Sequence, residues 1–395
     1  MCLECNRCFF RFFLYLTVGI VPLLTWGKPR ARDLGIQFDG VTGQWNAITD
    51  VAGVEVGHAT IIKGKGTLNV GKGPVRTGVT AVHPRGKSDF KKVFASYFSL
   101  NGNGEMTGSH WLEESGFLEG PIMITNTHSV GTVVDAVVAW SLTANSSGYP
   151  VSLPVVAETW DGRLNDINGF HVKQKHAFQA LNTAKSGPLE EGNIGGGTGM
   201  VAFQFKAGSG TSSRLLPEDV GGYTVGVFVQ ANFGRRSQLV ISGVPVGNSI
   251  DDLMPEIHKR KDKDGSIIVV VATDAPLLPY QLKRVAKRVT LGVARTGSIS
   301  SNSSGDIFIA LTTASINRED TKRTMSASFL KNKYINPIFE ATIQATEEAI
   351  INAMIAAETM SGINGNTIYA LPHDRLLELL RQYNRLSESE SDKFK

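Results

Sequence analysis

The junction Asp264-Gly265-Ser266 carries the most informative chemistry in the sequence. A charged segment without apolar residues, 258–265, ends at the glycine, and the serine opens a run of β-branched residues. A chain break between Gly265 and Ser266 would give the serine a free α-amine beside its hydroxyl. Because an α-amine titrates near pH ~7.7–8.0, it can act as the general base that a bare serine lacks. The junction therefore fits an N-terminal nucleophile.

The break can be made by the chain itself. The Ser266 hydroxyl oxygen would attack the Gly265 carbonyl carbon, and the resulting ester would be hydrolysed. Glycine offers the least steric obstruction to such an attack. On spacing alone, however, Asp-Gly-Ser before a strand is a common pattern, and an ordinary loop-to-strand junction is the preferred interpretation.

Glycine-rich segments elsewhere look like nucleotide-binding loops but fail in detail. Residues 66–72 have the P-loop spacing, yet Gly73 stands where a magnesium-binding Ser or Thr is required. The glycines that begin at Gly102 miss the dinucleotide-binding frame by one position. The run 195–199 is expected to let two backbones pack closely. The absence of a G-x-S-x-G motif disfavours an ordinary α/β-hydrolase.

Histidine and cysteine predict neither a metal site nor a thiol nucleophile in the folded body. The eight histidines form no H-x-H or H-E-x-x-H pattern. All three cysteines, Cys2, Cys5 and Cys8, lie at the N-terminus, where a fourth ligand for zinc or an iron–sulfur cluster is missing. We therefore expect no metal and no other cofactor.

Several motifs, weak alone and specific together, resemble one family of peptidases. They lie between about Arg32 and about Asp374: Asn46-Ala-Ile-Thr-Asp-Val-Ala-Gly-Val-Glu-Val-Gly-His58, Asn101-Gly-Asn-Gly-Glu-Met-Thr-Gly108, Asn126-Thr-His-Ser-Val-Gly131, Glu158-Thr-Trp-Asp-Gly162, Gln230-Ala-Asn-Phe-Gly234, Asp264-Gly-Ser-Ile-Ile-Val269 and Ser303-Ser-Gly-Asp-Ile-Phe308. On these motifs the chain resembles the L-aminopeptidase/D-esterase family, the DmpA and β-aminopeptidase group of self-processing N-terminal-nucleophile serine peptidases.

The resemblance implies an architecture and a processing event. The fold would be an α/β (α+β) protein built as an αββα layered sandwich, of the type shared with ornithine acetyltransferases. Residues 28–395 would form a single catalytic domain that cuts itself into an α-part, 28–265, and a β-part, 266–395. The resemblance also implies a homotetramer of cleaved protomers.

The same resemblance implies roles for five side chains. Ser266 matches the nucleophile, and Ser304 and Asp306 match the serine and the acid that orient its amine and hydroxyl. Asn232 matches the asparagine whose side-chain amide helps to form the oxyanion hole, a role suited to a neutral donor. Glu158 matches a carboxylate that holds the substrate's free ammonium group, which would enforce cleavage at the N-terminus.

One position departs from the family pattern. The family usually has tyrosine two residues after the glutamate, whereas this chain has Trp160. A tyrosine hydroxyl donates and accepts hydrogen bonds, and an indole N–H only donates. Trp160 is expected to line the substrate site, either as a donor that replaces the tyrosine or as a packing residue.

Buried strands must position these residues. The segment 266–273 is almost continuously β-branched, the pattern of a strand buried on both faces, and 306–313 predicts a second strand. Shorter apolar runs predict further strands at 51–56, 78–82, 120–125 and 226–229.

Helices are expected to cover these strands in layers. The segment 132–142 has helical spacing, and Pro279 can occupy the first turn of another helix. The last long helix is predicted to begin with Asn336 as its cap. Its apolar stripe continues to Met360, and Gly362 is expected to stop it.

Composition excludes several classes of protein. The net charge is only +4 and 42% of residues are hydrophobic, which excludes a largely disordered chain. The 42 glycines follow no triplet repeat, which excludes collagen. No concentrated basic segment indicates a nucleic-acid partner. The expected partners are small peptides, amides or esters that carry a free amine.

Residues 1–27 are expected to be a leader. Arg7 and Arg11 precede an apolar run, 12–26, that is shorter than the ~20 residues a membrane span needs. This pattern predicts a signal peptide and a periplasmic or secreted protein. Because no A-x-A pattern marks a cleavage site, a membrane anchor formed by residues 9–26 is the alternative.

Two other functions stay open at this point. One is an acyltransferase of the ornithine acetyltransferase type, although that family cuts at Ala–Thr and the matching pair here is Gly265–Ser266. The other is an inactive binding homologue in which Trp160 has disabled the site. The sequence does not rank L-, D- and β-amino acid substrates.

Overall fold

Two β-sheets form the centre of the protein in the computed structural model, which describes residues 28–144, 151–258, 265–315 and 323–386. In chain order the strands are β1 (Glu55–Lys63), β2 (Val75–His83), β3 (Val93–Ser99), β4 (Phe117–Leu118), β5 (Ile122–Asn126), β6 (Val155–Thr159), β7 (Val201–Ala202), β8 (Phe205–Lys206), β9 (Ser209–Leu215), β10 (Thr224–Asn232), β11 (Ser266–Thr273), β12 (Gly305–Thr312), β13 (Met360–Ser361) and β14 (Thr367–Ile368). The helices are α1 (Ser109–Ser115), α2 (Val130–Ala144), α3 (Gln174–Asn182), α4 (Val246–Ser249), α5 (Pro279–Arg295), α6 (Asn336–Ile355) and α7 (His373–Gln382).

The predicted leader, 1–27, and most of the charged segment before Gly265 lie outside the described residues.

The two sheets differ in size and in strand direction. The four-stranded sheet has the order β1-β2-β5-β6, and the six-stranded sheet has the order β4-β3-β12-β11-β10-β9. Strand β11 pairs parallel with β12 and antiparallel with β10. Every residue of β10, β11 and β12 is buried, which agrees with the β-branched pattern of 266–273.

Helices cover the outer faces of both sheets. The sheets pack face to face through a shared core in which Ile124 of β5 and Ile268 of β11 take part. On the outer face of the smaller sheet, α2 and α3 pack against residues such as Met123. On the outer face of the larger sheet, α5 and α6 pack against residues such as Ile267. These four layers are the predicted αββα sandwich.

Side chains along β11 alternate between two cores. Ile268 and Val270 belong to the core between the sheets, and Ile267 and Val269 belong to the core under the helices. Because strand residues alternate with period two, Ser266 projects toward the space between the sheets. The nucleophile candidate therefore stands at the end of the inter-sheet core.

The first strand begins later along the chain than predicted. The segment 51–56 was expected to be extended, but the strand starts only at Glu55. Gly53 has a left-handed backbone with φ of 89° and turns the chain. The runs 78–82, 120–125 and 226–229 do overlap β2, β5 and β10, and 132–142 lies within α2. An apolar run marks a strand here only where no turn interrupts it.

The last predicted helix is shorter than its apolar stripe. Helix α6 ends at Ile355, and Met360 lies in β13 instead. Asn336 is the first residue of the helix and makes no capping hydrogen bond, because Ile335 before it already has a helical backbone. Helix α7, whose Leu376 and Leu380 are buried one turn apart, was not predicted. Within the described ranges no helix is long and apolar enough to span a membrane.

Candidate active site

Ser266 lies at the first position of β11, in the interior of the six-stranded sheet. Its antiparallel partner is Asn232, the last residue of β10. Its parallel partner is Gly305, the first residue of β12. The serine is 4% exposed. Three adjacent strands therefore start or end at the same level, and they bring the predicted junction and the predicted amide donor together.

Gly265 packs directly against the main chain of Asn232. A Cβ added to Gly265 would lie 1.5 Å from the Asn232 carbonyl oxygen and 3.1 Å from the Asn232 side-chain nitrogen. A Cβ atom at 1.5 Å would overlap the Asn232 oxygen, so only glycine fits this backbone position. The second distance brings an amide nitrogen next to the residue whose carbonyl would be attacked.

The side chain of Asn232 is held at both ends. Its Oδ1 accepts a hydrogen bond from the Val201 backbone N–H at 2.9 Å. Its Nδ2 donates to the Trp160 carbonyl oxygen at 2.9 Å. These two bonds fix which end of the carboxamide is the nitrogen. Because an amide nitrogen carries two N–H groups, the bond to Trp160 leaves one to serve an oxygen at the junction.

Ser304 and Asp306 form a buried hydrogen-bonded pair. The Ser304 hydroxyl donates to Asp306 Oδ1 at 2.6 Å. Burial raises the pKa of Asp306, and hydrogen bonds from the Ser304 and Ser300 hydroxyls and from the Ile267 backbone N–H oppose that rise. On the opposite carboxylate oxygen, Asn101 Nδ2 approaches at 3.4 Å. The carboxylate is therefore surrounded by donors, which offset part of the cost that burial places on its charged form.

The strand register decides what Asp306 faces. Asp306 pairs with Ile267, one residue after Ser266. Its carboxylate is hydrogen-bonded to the Ile267 backbone N–H. The acid thus lies against the main chain at the start of β11, one residue after Ser266.

Glu158 is a second buried carboxylate, at the end of β6 in the other sheet. It is 3% exposed. The Glu105 backbone N–H donates to its Oε1 at 3.1 Å, and the Thr127 hydroxyl donates to its Oε2. Burial raises the pKa of Glu158, and the hydrogen bond from Thr127 opposes that rise. No basic side chain forms an ion pair with this carboxylate among the described residues.

A single glycine separates Glu158 from the start of β12. A Cβ added to Gly104 would lie 3.1 Å from Gly305 Cα and 3.4 Å from Glu158 Oε1. Gly305 is also the strand partner of Ser266. The Gly104 loop therefore brings the carboxylate of one sheet close to the nucleophile candidate of the other.

Trp160 contributes through its main chain. Its carbonyl oxygen accepts the hydrogen bond from Asn232, and its half-buried ring packs against Gly162, where a Cβ would lie 2.4 Å from the ring. The Arg163 guanidinium lies 5.8 Å from the ring centre. Trp160 thus lies beside Asn232, and the atom that reaches the predicted oxyanion donor is the backbone oxygen.

Residues not singled out from the sequence complete the arrangement. Asn101 and Gly104 lie in a motif that carried the family resemblance, so that motif was the available signal. The Val201 amide gave none, because a backbone N–H has no sequence signature. The described residues contain no group of three or more His, Cys, Asp or Glu side chains placed to hold a metal ion.

Comparisons with known proteins show what the chain is similar to. The family model described as Peptidase family S58 matches residues 46–368. Two β-peptidyl aminopeptidases named BapA are similar to the chain. That of Sphingosinicella microcystinivorans is 54% identical over 91% of this chain and 93% of its own length. That of Sphingosinicella xenopeptidilytica is 45% identical over 93% and 94%.

A solved structure shows the same fold. It is the L-aminopeptidase D-Ala-esterase/amidase from Ochrobactrum anthropi, described as a prototype for serine aminopeptidases and as a variant of the N-terminal-nucleophile hydrolase fold. The TM-score is 0.85 at 45% identity, over 91% of this chain and 100% of the other. The family resemblance and the fold predicted from the sequence motifs are both confirmed.

Proposed function

The chain belongs to peptidase family S58, and we propose that Ser266, freed by cleavage after Gly265, is the nucleophile of its activity. The protein is a hydrolase, a serine aminopeptidase of the N-terminal-nucleophile type that acts on peptide or amide substrates. One observation carries the assignment of the site. At Gly265 the fold leaves no room for a side chain and sets an amide nitrogen beside the residue.

Self-cleavage begins with attack of the Ser266 hydroxyl oxygen on the Gly265 carbonyl carbon. The C–N bond between the two residues breaks, an ester to Ser266 Oγ forms, and the former amide nitrogen becomes a free amine. Water then hydrolyses the ester, which leaves a carboxylate on Gly265 and restores the hydroxyl. The products are an α-part, 28–265, and a β-part that starts at Ser266.

Turnover repeats the same chemistry on a substrate. The Ser266 amine takes the proton of its own hydroxyl as the oxygen attacks the substrate carbonyl. The spare N–H of Asn232 stabilises the negative oxygen of the tetrahedral intermediate. The amine then gives its proton to the leaving amine, and water releases the acyl group in a second attack. The acid Asp306 and the hydroxyl of Ser304 hold the catalytic amine from the neighbouring strand.

Glu158 is the proposed site for the substrate's ammonium group. Its carboxylate is buried, has hydroxyl and amide donors and forms no ion pair among the described residues, and the basic side chain that acts on it from nearby is His128. A buried carboxylate without an ion-pair partner gains most from a charged ligand that supplies one. Its closeness to Gly305 sets the ammonium at a short distance from the attacked carbonyl, which restricts cleavage to the first residue of a substrate.

We further propose a preference for N-terminal β-amino acids. The two Sphingosinicella relatives are β-peptidyl aminopeptidases, which supports this class. The junction supports it independently, because the acyl group of a substrate takes the place of Gly265. An L-α-residue carries its side chain on the carbon that faces the Asn232 carbonyl. A β-residue can have an unsubstituted CH₂ there and carry its side chain one carbon further away.

Denaturing electrophoresis and intact mass test the nucleophile. The purified protein should give two pieces, the second beginning at Ser266, and Ser266→Ala should stay in one piece and be inactive. Ser266→Thr, which keeps a hydroxyl, is the matched control and should still be cut. A single full-length band from a fully active preparation would overturn the assignment.

Paired substrates test the substrate class. We expect kcat/KM for β-homoalanine p-nitroanilide to exceed that for L-alanine p-nitroanilide by about tenfold or more, the scale on which one misplaced methylene discriminates. Equal or reversed values would remove the β-preference and leave the aminopeptidase intact. Acetyl transfer from acetylornithine serves as the counter-assay for the acyltransferase alternative.

Export and assembly complete the proposal. The apolar run 12–26 behind Arg7 and Arg11 supports a leader that takes the protein to the periplasm or outside the cell. We also propose that cleaved protomers assemble as a homotetramer. Mass spectrometry of the α-part shows at which residue the mature chain begins. Light scattering gives the mass of the native particle and so its number of protomers.

A further inference from the structure

Lys206 is a buried cationic residue that the proposed chemistry does not use. It ends β8 and is 0% exposed. Its Nζ donates to the Met200 carbonyl oxygen at 2.9 Å and to the Ala207 carbonyl oxygen at 2.5 Å. Burying a lysine costs free energy unless its polar groups are hydrogen-bonded, and both of these bonds go to main-chain carbonyls.

The surroundings of Lys206 suit a neutral amine. Burial lowers its pKa well below the ordinary lysine value, and the other charge acting on it, Lys28, lowers the pKa further. A neutral amine has two N–H groups, and the two carbonyl oxygens accept both. The ammonium form would have a third N–H without an acceptor and a buried charge without a counter-charge. Lys206 is thus a donor of two hydrogen bonds to main-chain carbonyls.

One of these carbonyls belongs to the peptide unit that orients Asn232. The Met200 carbonyl and the Val201 N–H are the two ends of one peptide bond. The carbonyl accepts from Lys206, and the N–H donates to Asn232 Oδ1 at 2.9 Å. A hydrogen bond on the carbonyl polarises the peptide unit and strengthens the bond made by its N–H. Strand pairing of Val201 with Lys206 keeps both bonds in one short hairpin, β7 and β8.

We propose that Lys206 is a positioning residue, which holds the Met200–Val201 peptide so that the Asn232 side-chain nitrogen points at the attacked carbonyl. The inference rests on the proposed function of Asn232 as the oxyanion donor. Lys206 itself touches neither the substrate nor the reacting atoms. Its loss should therefore lower the rate of bond cleavage and leave substrate binding by Glu158 unchanged.

The test compares Lys206→Met, which keeps an unbranched apolar chain one atom shorter and removes the donor nitrogen, with the wild type. We expect kcat to fall about tenfold, part of the ~10²–10³ that a whole oxyanion donor supplies, with KM within about twofold of the wild type. Self-cleavage should slow by a similar factor. Lys206→Gln, whose nitrogen is one atom closer to the main chain and reaches one carbonyl at best, should lose only about threefold.

Arg236→Met is the matched control. Its buried guanidinium holds the carbonyls of Phe203 and Gln204, at the tip of the same hairpin, and does not touch the Met200 peptide. This variant also removes buried side-chain contacts to the hairpin, but it should keep the wild-type kcat. An equal loss of kcat in both variants would mean general loosening and would overturn the proposal.

A double-mutant cycle separates this inference from the proposed function. In Asn232→Ala, the additional change Lys206→Met should slow self-cleavage no further, because the donor it positions is absent. If Asn232→Ala alone leaves the rates unchanged, both the oxyanion role and this inference fail. If Asn232→Ala is slow and a folded Lys206→Met keeps the wild-type kcat, only this inference fails. Should Lys206→Met not fold, a wild-type kcat in Lys206→Gln overturns it.

Discussion

The backbone carbonyl oxygen of Asn232 occupies the place where a side chain of residue 265 would begin, since a Cβ on Gly265 would lie 1.5 Å from it. The side chain of the same asparagine lies next to the same glycine, with its nitrogen 3.1 Å from that Cβ position. One residue of β10 therefore shapes the proposed cut site with its main chain and lies beside it with a hydrogen-bond donor. Its neighbour across the strands is Ser266, the proposed nucleophile.

We expect Gly265→Ala to block or severely slow self-cleavage. The added methyl group must displace either the junction or the Asn232 carbonyl, and either movement takes the attacked carbon away from its donor. Time courses on denaturing gels measure the effect. Gly131→Ala is the control, because nothing lies within 4 Å of a Cβ at that position and its cleavage should be normal. Rapid, complete cleavage of Gly265→Ala would contradict the assigned role of this contact.

Glu158→Gln should separate substrate binding from self-cleavage. Removing one partner of a buried charge pair weakens the free energy of binding by about 2–5 kcal/mol. We therefore expect KM for free-amine substrates to rise about 30-fold or more. Cleavage of the junction needs no ammonium group and should proceed normally. The exposed neighbour Glu105 provides the control, since Glu105→Gln should change KM little. A normal KM in Glu158→Gln would move the ammonium site elsewhere.

The same glutamate predicts a pH dependence. Burial raises the pKa of Glu158, and a substrate ammonium binds only its ionised form. As the pH falls, kcat/KM should therefore begin to drop above the usual pKa of a glutamate. The profile is measured with one substrate at constant ionic strength. Glu158→Gln should lack this acidic decrease, and a decrease that persists unchanged in the variant would assign it to another group.

Asp306→Asn should impair the catalytic amine. A carboxylate beside the Ser266 amine stabilises its protonated form, so its removal should lower the pKa of the amine and shift the acidic limb of kcat to lower pH. The rate itself should fall by about 10² or more, the scale of general acid–base catalysis. Asp274→Asn, which alters a half-buried carboxylate beyond the other end of β11, is the control. An unshifted profile in Asp306→Asn would contradict contact with the amine.

Asp161 should make stability depend on pH. Burial raises its pKa to about 7, whereas an aspartate in the unfolded chain titrates near ~3.9. Between these values the folded state holds a proton that the unfolded state has lost, so the free energy of unfolding falls as the pH rises. At about 1.4 kcal/mol per pH unit the loss reaches about 4 kcal/mol by neutral pH.

Denaturant unfolding at pH 4, 5.5 and 7 measures this loss. Asp161→Asn, which keeps the shape and cannot titrate, should show a flatter dependence over the same window. Asp135→Asn, at an exposed position on α2, should behave like the wild type. Parallel curves for Asp161→Asn and the wild type would mean that Asp161 is ionised in the folded protein.

The local pattern of the sequence determined the central strand and its start. The β-branched residues after Gly265 remove their apolar side chains from water only if both faces of the strand are buried. Strand β11 has the predicted bounds, 266–273. The local pattern predicted the wrong element bounds where the backbone turns. Gly53 turned a predicted strand, and the apolar stripe behind Asn336 continued past the end of α6.

The sequence by itself determined the family through its motifs and predicted Gly265 and Ser266 as the junction, because residue types and short spacing carry that information. Only the tertiary structure decided how the site is assembled. The register of β10, β11 and β12 sets Asn232 and Gly305 beside Ser266, although they are far apart along the chain. Which way the Asn232 carboxamide points depends on main-chain groups of Val201 and Trp160. Such contacts have no sequence signature, because every residue type offers the same backbone N–H and C=O, with proline alone lacking the N–H.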